Sequence, residues 1–179
     1  MELLESARRL GAFPTRFVLW RAIHTGDEAI LNLYIDALED YVAVLGDVCE
    51  TINALARTLH RAQRALEHQR KTWQSIAQRF REEGKADLAH MAEHRVRAMN
   101  HQAATYRRLL TAQERELAAY QDVRLVLEAT LAEARQRREE IEDWLENRKG
   151  ATSLPDFARP LPEWDEEQMA RELEEILRT

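Results

Sequence analysis

Apolar residues recur at a fixed seven-residue interval along the first half of the chain. A seven-residue interval is typical of a helix that packs along one stripe against a partner helix. The stretch that carries it, residues 27–82, contains no proline. The pattern therefore predicts one long helix over about 27–82. Its stripe consists of Leu38, Leu45, Ile52, Leu59, Leu66, Trp73 and Phe80.

A second apolar stripe runs from Leu88 to Leu145, with spacings mostly of three and four, and predicts a second helix over about 86–148. At 1.5 Å per residue each helix would be on the order of 80–90 Å long, and neither could cover its stripe alone. The joint between them contains Gly84, which can adopt a left-handed conformation and let the chain turn back. The sequence thus predicts an all-α fold, a long antiparallel helical hairpin over 27–148.

Residues 1–26 form an amphipathic leader that is interrupted by Gly11 and Pro14. A basic segment with aromatic residues is typical of a helix that lies in a membrane interface. Packing on the hairpin as core is the alternative, because amphipathicity does not identify the apolar partner. If the leader binds a membrane, Trp20 is the residue we expect to lie at the interface and to report lipid binding. Its full set of candidate residues is Arg8, Arg9, Phe13, Arg16, Phe17, Trp20 and Arg21.

The C-terminal part divides into a proline-rich linker, residues 149–163, and a short acidic helix over about 164–179. Asp165 is the candidate N-cap of that helix. Met169, Leu173 and Ile176 give it a narrow apolar face. A helix this short is not stable alone, so we expect it to dock on another surface.

Charge is distributed unevenly along the predicted hairpin. Residues 27–50 hold seven acidic side chains and no Lys or Arg, whereas residues 57–81 hold seven basic side chains against Glu67 alone. Two molecules that carry opposite charge at their two ends attract each other when they lie staggered. The charge pattern therefore predicts self-assembly. The candidate basic residues are Arg57, Arg61, Arg64, Arg70, Lys71, Arg79 and Arg81. The candidate acidic and tail residues are Asp36, Glu39, Asp40, Glu166, Glu167, Met169, Leu173 and Ile176.

Composition narrows the class of protein. The chain has 32 % charged residues, a net charge of -6, one cysteine and no pattern of a secretory signal peptide in residues 1–26. We therefore expect a cytoplasmic protein without internal disulfides. Any membrane contact would be peripheral, because no apolar run reaches the roughly 18–20 residues of a membrane span. The negative net charge argues against a nucleic-acid partner.

Three local patterns in the hairpin resemble the phage shock protein A and plastid vesicle-inducing protein family, bacterial members of the ESCRT-III-like superfamily. They are Leu38-Glu39-Asp40, then Trp73-Gln74 with Ala77, and Asp87-Leu88-Ala89 at the turn. The resemblance covers about residues 30–135 without a gap. Gly26-Asp27 stands where the family usually has an Asp-Pro step, and Pro14 interrupts the leader.

The resemblance implies a scaffold that polymerises on the inner face of the cytoplasmic membrane and protects or remodels it. The implied partners are the protein itself and an anionic membrane surface, with a regulatory protein or a longer paralogue as further candidates. Some relatives bind an AAA+ transcriptional activator. A soluble coiled-coil adaptor for such an activator is therefore the alternative function.

Enzymatic chemistry finds little support in the sequence. His90, Glu93, His94 and His101 have helical spacing that could ligate a metal, but no further ligands are evident. A helical metalloenzyme is thus a third, weaker hypothesis. Cys49 lies on the apolar stripe, where a small buried hydrophobe is expected, and no glycine-rich phosphate loop is present. We expect no enzyme activity and no cofactor.

Overall fold

The computed structural model describes residues 2–26, 29–146, 156, 159 and 161–178. The described residues form five helices and contain no strand. The bounds are α1 Glu2–Ala12, α2 Thr15–Thr25, α3 Ala29–Glu82, α4 Ala86–Glu146 and α5 Glu166–Arg178. The all-α prediction is confirmed, and the two long helices begin and end within two residues of their predicted limits. The proline-rich linker falls largely outside the described residues.

Helices α3 and α4 pack against each other as the predicted hairpin. The turn between them is a Schellman motif, in which Lys85 N–H donates to the Phe80 carbonyl (2.9 Å) and Gly84 N–H donates to the Arg81 carbonyl (3.0 Å). Gly84 has φ +71°, the left-handed conformation that glycine adopts without steric cost. The hairpin prediction and the role of Gly84 are both confirmed.

The chain divides into two compact units, each built on part of the hairpin. Unit 1 comprises residues 1–47 and 120–179, and unit 2 comprises residues 48–119. All of the largest side chains that are fully buried belong to unit 1. They are Leu10, Phe17, Val18, Leu19, Tyr34, Leu38, Leu45, Leu127 and Leu173. The hydrophobic core of the described chain therefore lies in unit 1.

Unit 2 has only the two hairpin helices to cover its stripe. Ile52 and Leu66 are each 8 % exposed, whereas Leu59, Trp73 and Phe80 are half-buried. Alanines make up much of its buried surface, and Cys49 is buried as expected. The stripe is continuous as predicted, but two helices alone leave it partly open to water.

One member of the second predicted stripe does not pack. Leu88 is 43 % exposed, whereas the next residue, Ala89, is buried in the same first turn of α4. The side chains of Trp144 and Leu145, at the other end of that stripe, lie outside the described residues.

Candidate interaction surfaces

The leader packs on the hairpin. Phe13, Phe17 and Trp20 are buried in the core of unit 1, and Phe17 is completely inaccessible. Phe17 contacts Phe13 and Trp20, with ring centroids 5.9 and 5.5 Å apart. Of the two alternatives for the leader, the structure adopts packing as core. Trp20 is therefore not a surface probe in this conformation, and the three aromatic membrane candidates face protein.

Tyr34 of α3 holds the break between α1 and α2 in place. Its hydroxyl donates to the carbonyl of Phe13 (3.2 Å) and hydrogen-bonds to Thr15. Burial raises the pKa of Tyr34 to about 12; the Thr15 hydrogen bond lowers it in part, and the charge of Glu133 raises it. Tyr34 is not among the residues that the sequence pattern singles out. Its place one turn before Leu38, on the same stripe, was the available signal.

The C-terminal segment lies across the leader of the same chain. Arg16 of α2 donates from Nε to the carbonyl of Arg159 (2.7 Å) and from a terminal nitrogen to the carbonyl of Asp156 (2.9 Å). The ring of Trp164 packs edge-on against Phe17, with centroids 5.5 Å apart. These contacts join the leader to the segment that precedes α5.

Helix α5 docks on unit 1 through its apolar face. Leu173 and Ile176 are buried in the core, with Met169 and Leu177 partly buried beside them. Asp165 caps the helix by accepting the Gln168 N–H (3.0 Å). The N-cap and docking predictions are confirmed. Leu173 and Ile176, which were candidates for contact with a neighbouring molecule, are buried within their own chain in this conformation.

Two ion pairs extend the docking of α5. Arg9 of α1 binds Glu175 at 3.3 Å, and Arg21 of α2 binds Glu174 at 3.2 Å. The Arg9 pair is well exposed and the Arg21 pair is partly exposed, and exposed ion pairs contribute little stability. Two of the four leader arginines thus pair with two of the five glutamates of α5, and Arg16 binds backbone carbonyls. Arg8 remains exposed and takes part in no ion pair with the described residues.

The predicted basic residues all lie in unit 2, where they form two classes. Arg70, Arg79 and Arg81 bind the carboxylates of Glu67, Glu83 and Glu93 respectively. Their guanidinium hydrogen bonds help to hold the pKa of each glutamate below its ordinary value; at Glu83 the largest contribution comes from Lys85. The cations of this class are therefore already neutralised.

The second class is exposed and takes part in no ion pair with the described residues. It comprises four of the predicted cations, Arg57, Arg61, Arg64 and Lys71, and five arginines of α4, Arg95, Arg97, Arg107, Arg108 and Arg115. These are the cations of unit 2 that no described carboxylate pairs with.

The predicted acidic residues are exposed on unit 1. Asp36 and Asp40 lie on the surface of α3, and Glu166 and Glu167 lie in the first turn of α5. Glu39 is bound by Arg135 of α4 at 2.7 Å. Asp36 and Asp40 together with the first turn of α5 therefore carry the acidic surface that a neighbour could meet.

The structure also bears on metal and membrane chemistry. Among the described residues no group of three or more His, Cys, Asp or Glu side chains is arranged to hold a metal ion. His90 lies 3.8 Å from Glu93, which Arg81 already binds. No described helix is both long enough and apolar enough to cross a bilayer.

Comparison of the chain with protein-family models, with curated proteins and with solved structures gave no match.

Proposed function

We propose that this chain is a self-assembling helical-hairpin scaffold that works at an anionic membrane surface. The observation that carries the proposal is the division of charge between the two units. Unit 2 has thirteen Lys and Arg against eight Asp and Glu, a net charge of +5, whereas unit 1 has thirteen against twenty-four, a net charge of -11. Each molecule therefore offers one surface that attracts the other surface of a second copy.

Contacts of this kind join unlike surfaces. When unit 2 of one copy binds unit 1 of the next, the growing assembly always keeps one free unit 1 and one free unit 2. Growth therefore continues unless the assembly closes into a ring. Charge complementarity steers such encounters and fixes their register. The candidate pair of surfaces is the unpaired cations of unit 2, Arg57, Arg61, Arg64 and Lys71, and the exposed carboxylates of α3, Asp36 and Asp40.

The membrane part of the proposal rests on the family resemblance and on the leader. Arg8 is exposed, and the apolar face beside it is covered by α5 and the segment before it. Insertion of Phe13, Phe17 and Trp20 into lipid requires that this cover be released. In the described conformation these aromatic side chains do not reach lipid, and of the four leader arginines only Arg8 is left to meet an anionic headgroup.

The test is imaging and flotation of the full chain with vesicles that contain or lack anionic lipid. We expect rings or filaments at low salt, enrichment on anionic vesicles and little binding to neutral ones. Raising the salt should weaken both, because exposed charges are screened within about 8–10 Å near physiological ionic strength. A monomer at low salt that ignores both kinds of vesicle would overturn the proposal.

A soluble adaptor is the second candidate, and burial of the leader favours it. A leader that packs on its own hairpin needs no lipid partner, and the hairpin remains available to one regulatory protein. The same experiment separates the two functions: a stable monomer that captures a partner and never floats supports the adaptor.

A further inference from the structure

The unpaired cations of α3 lie along one side of the helix in unit 2. At 3.6 residues per turn, positions 57, 60, 61, 64, 68 and 71 fall within a sector of about 100°. They are occupied by Arg57, His60, Arg61, Arg64, His68 and Lys71, all exposed. The adjacent exposed sector holds only neutral residues, Ala54, Thr58, Ala65, Gln69 and Thr72. The unpaired positive charge of α3 is therefore confined to one side of the helix.

Two adjoining grooves follow this row of cations. One, of about 560 Å³, lies between α3 and α4 and is lined by His60, Arg64, His68, Lys71 and, from α4, Arg107. The other, of about 280 Å³, is lined by Arg57, His60, Arg61 and Arg64. His60 and Arg64 line both, so the grooves form one cationic trough. From Arg57 to Lys71 it extends about 21 Å along the helix axis.

Very little negative charge is available to the trough within unit 2. Glu67 is the only acidic residue between positions 51 and 81, and there is none between 94 and 113. Glu67 lines the larger groove, but Arg70 already binds it. Like charges one helical turn apart repel one another. Binding of a polyanion removes this repulsion.

We propose that the cationic trough binds a linear chain of phosphate groups, of the kind found in inorganic polyphosphate. Arginine binds phosphate oxygens in pairs through its planar guanidinium. Arg57, Arg61 and Arg64 of α3 line the trough, and Arg107 of α4 lines the larger groove together with Arg64. The row of charges is about 21 Å long, which suits an extended polyanion better than a single small anion.

Two features favour a bare phosphate chain over the other polyanions. Neither groove is lined by Phe, Tyr or Trp, so no platform is present for stacking the bases of a single-stranded nucleic acid. The lining also lacks the large apolar side chains that insert into a bilayer. Arginine, lysine and imidazole N–H groups remain, and all of these donate to phosphate oxygens.

The experiment measures binding of a fluorescently labelled long-chain polyphosphate to the full chain. We place the measurement in a D36K/D40K background, where self-assembly through the acidic surface of α3 is removed. The result is then independent of the proposed function. The trough variant is R64Q/R107Q. The matched control is R97Q/R108Q, which removes two charges from the same unit outside the trough lining.

We expect the long chain to bind at least about tenfold more weakly to R64Q/R107Q and no more than about threefold more weakly to the control. Triphosphate, which covers only part of the trough, should bind more weakly than the long chain. Equal losses in the two variants would mean general counterion attraction and would overturn the proposal. Tighter binding of a single-stranded oligonucleotide of matched charge, or binding to anionic vesicles alone, would also overturn it.

Discussion

At the scale of single residues, unit 1 depends on a few contacts that the hydrophobic pattern does not specify. Tyr34 is completely buried, yet its hydroxyl finds the carbonyl that the break between α1 and α2 leaves free. Gly11 of α1 lies against Leu127 and Val126 of α4. Both positions can be tested with single substitutions.

The raised pKa of Tyr34 links the stability of unit 1 to alkaline pH. In the unfolded chain the phenol ionises near its ordinary value of 10.0, and in the folded chain near 12. Folding therefore favours the protonated form. The stability that this pKa difference contributes is fully present below pH 10 and is lost as the pH rises through 12. We expect the thermal midpoint of the wild-type chain to fall over this interval, and less steeply in Y34F. Y106F, which alters a half-buried tyrosine of unit 2, should follow the wild type.

At neutral pH the same variant should be less stable. Y34F leaves the Phe13 carbonyl without its donor in the core, which costs about 1–3 kcal/mol of unfolding free energy. Urea unfolding provides the measurement. An unfolding free energy equal to that of the wild type would show that the hydroxyl contributes nothing in the fold.

Two glycines within helices form a matched pair. A Cβ added at Gly11 would lie 3.1 Å from a methyl carbon of Leu127, which is itself fully buried, whereas at Gly46 the nearest atom is 3.6 Å away in the flexible guanidinium of Arg124. We expect G46A to raise the unfolding free energy by about 0.5–1 kcal/mol, through the higher helix propensity of alanine. G11A should lower it by about 1 kcal/mol, because the packed neighbour must move. A gain at both positions would show that α1 and α4 are more loosely packed than described.

At the scale of elements, the short helices decide where the core forms. The long helices α3 and α4 run through both units, but only in unit 1 do α1, α2 and α5 cover the hairpin. Leu38 and Leu45 are completely buried there, whereas Leu59 in unit 2 is half-buried. The same heptad stripe therefore contributes unequal stability along its length.

Helix α5 should depend on its docking. Leu173 is completely buried, and a Leu→Ala change at such a site costs about 2–5 kcal/mol. A helix of 13 residues is not stable alone, so we expect L173A to release α5 and expose it to protease. E172A, which changes an exposed neighbour, should stay within about 0.5 kcal/mol of the wild type. An intact, protease-resistant α5 in L173A would contradict the docking described here.

The sequence alone predicts where the helices lie, but it does not predict which surfaces their apolar faces pack against. The heptad from Leu38 to Phe80 and the glycine at 84 specify the hairpin, because period and turn chemistry are local properties of the chain. The apolar faces of the leader and of α5 are equally clear, but a face attracts lipid, a second copy or its own chain through the same hydrophobic effect. Phe17, Trp20 and Leu173 pack against other parts of the same chain. The hydrophobic periodicity does not specify these contacts.

At the scale of the whole molecule, the proposed self-assembly depends on unlike charge in the two units of one chain. Ion pairs within the chain neutralise Arg70, Arg79 and Arg81, and the exposed cations beside them are left for other molecules. A second copy and a phosphate chain would compete for those cations. We therefore expect long-chain polyphosphate to disperse assemblies of the wild-type chain, as shown by a fall in light scattering. Scattering that polyphosphate leaves unchanged would mean that assembly uses another surface.

The most direct test of assembly through unlike units is a charge exchange followed by sedimentation velocity. R57E/R61E/R64E reverses three of the unpaired cations of unit 2, and D36K/D40K reverses two exposed carboxylates of α3. Alone, each variant should sediment as a smaller species than the wild type at low salt. When the two are mixed, each reversed surface meets its complement, and we predict that large assemblies return. A mixture no larger than its separate components, or wild-type assemblies that high salt leaves intact, would contradict the account.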